Sequence, residues 1–146
     1  MNGEWIIQVL GDGFFAAVAA VGFAVISNPP RRTVLVSALL AAVGHALRYY
    51  LLHYTPLEIT VSSLAAAFVI GLFAKLMHCP AEVFTFPSLL PMIPGMYAYK
   101  TVLALMQFMA GDAAAEQGAL IVEVFRNGLT TMFVMFALVV GASLPL

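Results

Sequence analysis

Charged side chains are scarce in this sequence of 146 residues, where six Lys and Arg and seven Asp and Glu make up only 9%. An ordinary soluble domain carries about 25% charged residues, so this chain has too few of them to form the polar surface around a globular core. This scarcity argues against a soluble enzyme and against a disordered chain. With a net charge of −1, the six scattered cations form no basic patch of the kind that binds nucleic acid.

Cysteine and N-terminal positive charge are also nearly absent. The single Cys79 permits no internal disulfide, and we expect it to be inert in a short loop beside Pro80. Residues 1–4 contain no Lys or Arg, whereas a cleavable signal peptide usually opens with positive charge. We therefore predict that the first apolar run is retained as a membrane span.

Apolar residues, by contrast, are abundant. They make up 63% of the chain, and the mean hydropathy is +1.02. A helix needs about 20 apolar residues to cross a bilayer, and five runs of suitable length are separated by short loops. The pattern predicts an all-α polytopic membrane protein with about five transmembrane helices, in a single integral membrane domain covering 1–146. The predicted spans are 5–27, 33–52, 57–77, 83–109 and 118–144.

The fourth run contains Pro87, Pro91 and Pro94. Proline removes a backbone donor and clashes with the preceding turn, so this span is predicted to be broken. Broken backbone within a membrane persists only where protein or a water-filled cavity satisfies it. The run could also re-enter rather than cross. Pro94 suits the first turn of a new helix, and such a helix would offer free amides to an anion. The amides expected to be free are those of Gly95, Met96 and Tyr97.

The few loop charges predict an orientation. Arg31, Arg32 and Lys75 border loops on one side if all five runs cross, and the loops of the other side have no Lys or Arg. The acidic residues of that other side are Glu4, Glu58, Asp112 and Glu116. The N-terminus is therefore predicted outside and the C-terminus inside.

Six ionisable residues lie away from the loops within the apolar runs, where each one is costly and usually faces protein or water. His45 and Arg48 are three apart and share a helix face. Arg48 could instead snorkel to the interface, and His45 could bond a neighbouring carbonyl. Asp12 lies nearer a membrane face. The remaining three are Lys100, Glu123 and Arg126.

Glu123, Arg126 and Asn127 share a second helix face. They could form a self-satisfied intrahelical ion pair, or Arg126 could contact an anion while Glu123 orients it or carries a proton. Lys100 could likewise serve an anion or simply pair with Glu123. We find no nucleophile–base pair, metal-ligand cluster or phosphate loop, and so predict neither an enzyme nor a cofactor.

Three short motifs, taken in order, resemble the threonine/serine exporter family. They are Ser27–Arg31 (SNPPR), Gly44–Arg48 (GHALR) and Pro91–Gly95 (PMIPG), the last followed by Ala98–Tyr99. The likeness is to the family's small membrane-only subunit. It implies a secondary exporter of the bacterial inner membrane that works with a larger subunit of the same family. Fused members export threonine and serine, and the split type is associated with succinate efflux.

The resemblance implies roles for particular positions. Those that match the family are Asp12, Asn28, His45, Arg48, Pro94, Gly95, Tyr99 and Asn127. Lys100 and Arg126 depart from the split-type pattern, and two extra cations would favour a dianion or neutralise Glu123. The predicted substrate-binding residues are His45, Arg48, Pro94, Gly95, Tyr99, Lys100, Arg126 and Asn127. The expected proton carriers are Asp12, His45 and Glu123.

The function predicted from the sequence is therefore the small subunit of a two-component exporter of small carboxylates, with succinate ahead of threonine or serine. Two other readings remain open. The chain could be a structural subunit that touches no substrate, or a self-sufficient homo-oligomeric transporter or channel that needs no partner.

Overall fold

The computed structural model describes residues 4–76, 81–111 and 114–146. The helices are α1 (Glu4–Ile26), α2 (Arg31–Tyr54), α3 (Ile59–Leu76), α4 (Ala81–Leu89), a short 3₁₀ helix (Leu90–Met92), α5 (Gly95–Ala110) and α6 (Ala114–Ser143). Within the described ranges, α1, α2, α3 and most of α6 are long and apolar enough to cross a membrane. The interrupted pair Val83–Met92 and Gly95–Ala110 makes a fifth span if it is counted as one. The predicted all-α polytopic fold is confirmed.

Some of the sequence predictions concern residues outside the described ranges. These are the loop residues Cys79, Pro80 and Asp112. The single-domain assignment, the limits of the spans and the orientation in the membrane stay predictions.

The three prolines of the fourth segment act differently. Pro87 lies within α4, Pro91 lies in the 3₁₀ helix, and Pro94 is the residue that precedes α5. Pro94 has no N–H to donate, and its ψ of 63° lies outside the helical range, so no helical ladder continues through it. The prediction of a broken fourth segment is confirmed, and the break lies at Ile93–Pro94.

A tight turn joins α1 to α2. Asn28 has a φ of 49°, in the left-handed region that asparagine tolerates better than most residues. Its N–H donates to the Val25 carbonyl at 3.1 Å, which closes the last turn of α1. Pro30 then precedes the first residue of α2, where a missing N–H costs little.

The chain forms two compact units, a first unit of Met1–Met92 with Ala137–Leu146 and a second unit of Ile93–Phe136. The interior of the first unit consists mainly of small side chains. Its fully buried apolar residues include Ala20, Ala24, Ala41, Ala66, Ala67 and Ala74. Small side chains let helix backbones approach closely, which is the usual basis of helix packing in membranes.

Two glycines show how close this approach is. A Cβ on Gly13 would lie 2.9 Å from the Ala42 carbonyl oxygen, and a Cβ on Gly141 would lie 2.5 Å from the Leu64 carbonyl oxygen. Only glycine fits where a helix backbone comes so near. By contrast, nothing lies within 4 Å of a Cβ placed on Gly22, so no helix backbone approaches closely there.

Large apolar side chains cover the outside. Phe15 is 73% exposed, Ile26 is 81% exposed and Met109 is 78% exposed. In water, so much exposed apolar surface would promote aggregation. A bilayer solvates it, so small residues inside and large ones outside suit a chain surrounded by lipid.

Candidate functional site

The first polar cluster belongs to the first unit and begins with a contact between α1 and α2. The Asp12 carboxylate pairs with Nδ1 of His45. On the other side of the ring, Nε2 of His45 lies 3.3 Å from the Pro91 carbonyl oxygen. The two side chains are 30% and 21% exposed, so both are largely withdrawn from the surface. One imidazole therefore connects α1, α2 and the 3₁₀ helix.

Arg48 joins the same cluster one turn further along α2. Its Nη1 donates to the Met92 carbonyl oxygen at 2.7 Å, so the guanidinium bonds backbone rather than only reaching for the interface. His45 and Arg48 reach adjacent carbonyls because residues three apart share a helix face. The suggestion from sequence that His45 bonds a backbone carbonyl is confirmed.

The second polar cluster lies in the second unit and lines a cavity of about 480 Å³. Lys100 of α5 lies on one side, and Glu123, Arg126 and Asn127 of α6 lie on another. The helices approach closely beside it, since a Cβ on Gly128 would lie 3.3 Å from Cγ2 of Thr101. The remaining lining residues are Tyr97, Ala119 and Val122.

The charges around this cavity are not paired with one another. Within the part of the chain that the structure describes, no ion pair within 4.0 Å involves Lys100, Glu123 or Arg126. Both simpler readings from sequence, a Glu123–Arg126 pair and a Lys100–Glu123 pair, are therefore wrong here. Asn127 is only 7% exposed, and its side-chain amide has no hydrogen-bond partner among the described residues. These groups remain available to a ligand.

The other predicted site residues lie outside this cavity lining. Tyr99 is 62% exposed and does not line the cavity, whereas Tyr97 does. Sequence reasoning missed Tyr97, although its position three residues before Lys100 on the same helix could have indicated it. Pro94 is buried and Gly95 is exposed at the start of α5.

The prediction of free amides at the start of α5 is wrong for two of the three residues. The N–H of Gly95 donates to the Ile93 carbonyl at 2.8 Å, and the N–H of Tyr97 donates to the Pro94 carbonyl at 3.1 Å. The chain turns so tightly at Ile93–Pro94 that it satisfies these donors locally. An anion site made of this helix start alone therefore lacks most of its donors.

A larger cavity of about 600 Å³ in the first unit has a different character. Its described lining comes from the α1–α2 turn, α4 and the end of α6, and no charged residue is among these lining residues. A small polar solute would find few partners there. Among the described residues, no group of three or more His, Cys, Asp or Glu is placed to hold a metal ion.

Comparison with known proteins identifies the family. The sequence model of the family described as "Threonine/Serine exporter, ThrE" matches residues 12–146. An uncharacterized protein of Haemophilus influenzae is 37% identical over 159 aligned positions, which include 99% of this chain and 51% of that protein. The chain thus spans about half the length of this curated relative. No solved structure matches.

The family match covers nearly the whole chain and includes both polar clusters. The apolar helices agree with it, since four of them, or five with the interrupted pair, can cross a membrane in the described ranges. This chain is a multi-pass membrane protein that belongs to the threonine/serine exporter family.

Proposed function

We propose that this chain is the small membrane subunit of a two-component secondary exporter of small carboxylates, with a succinate-type dicarboxylate as its substrate. The observation that carries the proposal is the cavity in the second unit. There Lys100 and Arg126 face open space without an anionic partner.

The chemistry of this cavity suits carboxylates. A guanidinium offers paired donors that match a carboxylate, and an ammonium adds a point charge. A volume of about 480 Å³ lies within the range of about 300–1,000 Å³ that is typical of small-molecule sites. The buried amide of Asn127 adds a donor and an acceptor.

Glu123 decides the charge balance. When ionised, it opposes the second carboxylate of a dianion. When protonated, it leaves the two cations of Lys100 and Arg126 to face two carboxylates. Glu123 is therefore one of three proposed proton carriers, together with Asp12 and His45 of the first unit.

Threonine or serine is the second candidate substrate, and two observations favour it. Glu123 lines the cavity without a cationic partner, so it could bind an α-ammonium while Arg126 binds the α-carboxylate. Asn127 would then bond the side-chain hydroxyl. The description of the matching family also names these amino acids.

The proposed partner is a larger membrane subunit of the same family. The Haemophilus influenzae relative is about twice as long as the matched region, so that protein contains a further stretch of similar length. We propose that the larger subunit supplies such a stretch here. We also propose a bacterial inner-membrane location with the N-terminus outside.

Efflux from lipid vesicles tests the proposal. Vesicles would contain this chain alone, a family larger subunit alone, or both, and would be preloaded with labelled succinate or labelled threonine. Succinate efflux only from vesicles with both chains is the expected result. A pH gradient across the vesicle membrane should change its rate, and neutral substitution of all three proposed carriers should abolish that change.

The other outcomes are equally informative. Threonine efflux from vesicles with both chains would make threonine the substrate in place of succinate, and the family assignment would stand. Efflux from this chain alone would overturn the partner proposal. Efflux that survives neutralisation of Lys100 and Arg126, per assembled complex, would make the chain a structural subunit.

A further inference from the structure

The break before α5 leaves two backbone carbonyls in need of donors. In a continuing helix, Pro91 would accept from residue 94 or 95. Pro94 has no N–H, and the N–H of Gly95 is used by the Ile93 carbonyl at 2.8 Å. The Met92 carbonyl loses Gly95 as a donor for the same reason. Unpaired carbonyls are costly in a membrane protein, so donors must come from elsewhere in the fold.

α2 supplies both donors. Nε2 of His45 lies 3.3 Å from the Pro91 carbonyl oxygen, and Nη1 of Arg48 lies 2.7 Å from the Met92 carbonyl oxygen. Together they cap the end of the 3₁₀ helix, as the next turn of backbone would have done. Asp12 holds the far side of the imidazole, so the cap depends on α1 as well.

The bonding pattern fixes the proton count of this cap. A carbonyl only accepts, so Nε2 of His45 caps the Pro91 carbonyl only while it carries a hydrogen. The Asp12 carboxylate and Nδ1 of His45 then share one further proton. With that proton present, the contact is a hydrogen bond whichever group holds it. After the proton leaves to water, the one remaining N–H cannot serve both partners. On Nε2 it leaves the Nδ1 lone pair facing the Asp12 carboxylate, and on Nδ1 it leaves the Nε2 lone pair facing the Pro91 carbonyl.

Few other charges face this pair. Arg48 on α2 stays protonated at any ordinary pH. On α1, Glu4 is the only other acidic residue, and it lies two turns away in the first turn. On α3, Lys75 in the last turn is the only charge. The 3₁₀ helix has no titratable side chain, and neither does the part of α4 whose side chains are described.

We propose that His45 and Arg48 are positioning residues that hold the carbonyl end of the broken segment, and that the proton shared by Asp12 and His45 decides whether this end is held or released. The segment leads through Pro94 directly into α5, which carries Lys100. The link to transport rests on the proposed function, whereas the proton-dependent cap does not.

Hydrogen–deuterium exchange tests the cap without a transport assay. The protein, with its partner subunit in lipid vesicles, would be compared between about pH 5 and about pH 8, where histidines ordinarily change charge. The readout is exchange in a peptide spanning residues 88–98, divided by exchange in an α3 peptide at the same pH. We expect this ratio to rise about tenfold as the shared proton is lost, because the released end opens locally.

Four variants separate the steps. Asp12→Asn keeps a hydrogen bond to Nδ1 but removes the shared proton, so the ratio should stay low at every pH. His45→Gln keeps a donor for the Pro91 carbonyl, so its exchange ratio should also stay low at every pH. Arg48→Met removes the donor to the Met92 carbonyl, so the exchange ratio should stay high at every pH. Tyr49→Phe is the matched control, because it removes only the neighbouring bond to Gln8 and should behave like the wild type.

Two results would overturn the proposal: a wild-type ratio that does not change with pH, or an Asp12→Asn variant that keeps the wild-type change. Transport kinetics add a second readout, since loss of a positioning residue in His45→Ala should lower turnover and leave KM unchanged. A raised KM would instead make His45 a substrate ligand. If the exchange pattern holds while neither succinate nor threonine is exported, the proposed function fails and the cap stands.

Discussion

The two units of the chain use ionisable residues in opposite ways. In the first unit, Asp12, His45 and Arg48 each have a protein partner. In the second unit, Lys100 and Arg126 line a cavity, and among the described residues neither has an ionic partner. The same residue types thus complete the backbone in one place and remain available to a solute in the other.

The depth of a charge in an apolar run therefore does not reveal its role. All these residues have similar surroundings in the sequence. What separates them is whether a backbone break lies opposite. The broken segment presents two carbonyls to α2, and His45 and Arg48 of α2 donate to them. The charges around the second cavity have no such break to satisfy.

The sharpest test of the comparison replaces one cation in each unit by methionine. Arg48→Met should lower the free energy of unfolding by about 2–3 kcal/mol, because the Met92 carbonyl is left buried without its charged donor. Lys100→Met should change this free energy by less than about 0.5 kcal/mol. Its transport rate at low substrate should instead fall about tenfold or more.

Unfolding in mixed micelles and efflux from vesicles would measure these two effects. Arg48→Lys is the matched control, since it retains one donor and should recover part of the stability. The difference between the two units would be contradicted if Arg48→Met were as stable as the wild type, or if Lys100→Met unfolded as easily as Arg48→Met.

Glycine substitutions probe the close packing of the first unit. Gly141→Ala should lower the free energy of unfolding by about 1–2 kcal/mol, because its Cβ would meet the Leu64 carbonyl oxygen at 2.5 Å. Gly22→Ala is the control, since its Cβ meets nothing within 4 Å. It should raise helix stability by about 0.5–1 kcal/mol. Equal effects at the two sites would contradict the packing described here.

Glu123→Gln distinguishes the two substrates by the sign of its effect. If the cavity binds a dicarboxylate, removing an opposing charge should tighten succinate binding about tenfold and abolish any proton coupling through this residue. If it binds an amino acid, losing the ammonium partner should weaken threonine binding by about the same factor. Equilibrium binding of each labelled substrate to the purified complex gives the answer. No change with either substrate would remove Glu123 from the site.

The smallest expected effect concerns hydroxyl bonds. Ser88→Ala removes a buried hydroxyl whose one hydrogen is shared between the Phe84 carbonyl of its own helix at 2.6 Å and the Ser37 carbonyl of α2 at 2.9 Å. Its loss should cost about 0.6 kcal/mol, the usual value for such bonds between membrane helices. Ser143→Ala removes only an exposed bond within its own helix and should cost less. Thermal unfolding of the two variants side by side would show whether buried polar contacts between helices matter in the first unit.

The overall fold could be predicted from sequence because it depends on average properties. Long apolar runs, scarce charge and three prolines in one segment were sufficient for an all-α membrane protein with a broken fourth segment. The start of a new helix near Pro94 was also foreseeable, since proline suits the first turn of a helix. The missing N–H alone does not locate the break, because Pro87 lies inside α4.

The division of the site into two clusters could not be predicted. Helix periodicity places His45 beside Arg48 and Glu123 beside Arg126, but it does not say which other helix each face meets. His45 contacts the Pro91 carbonyl as well as Asp12, and Arg48 donates to the Met92 carbonyl. Backbone carbonyls leave no mark in a sequence. Likewise, the free amides expected at Gly95 and Tyr97 are lost to the conformation of Ile93–Pro94, which depends on how tightly the chain turns there.

The broken segment also has a consequence for how the protein is made. Residues 81–92 form too short a helix to be recognised as a span on their own. When they leave the ribosome, the carbonyls of Pro91 and Met92 lie at their end, and the residues synthesised next do not donate to these carbonyls. α2 has been synthesised earlier, so its two donors already exist when these carbonyls emerge. The order of synthesis therefore favours insertion of this segment against α2, before α5 is complete.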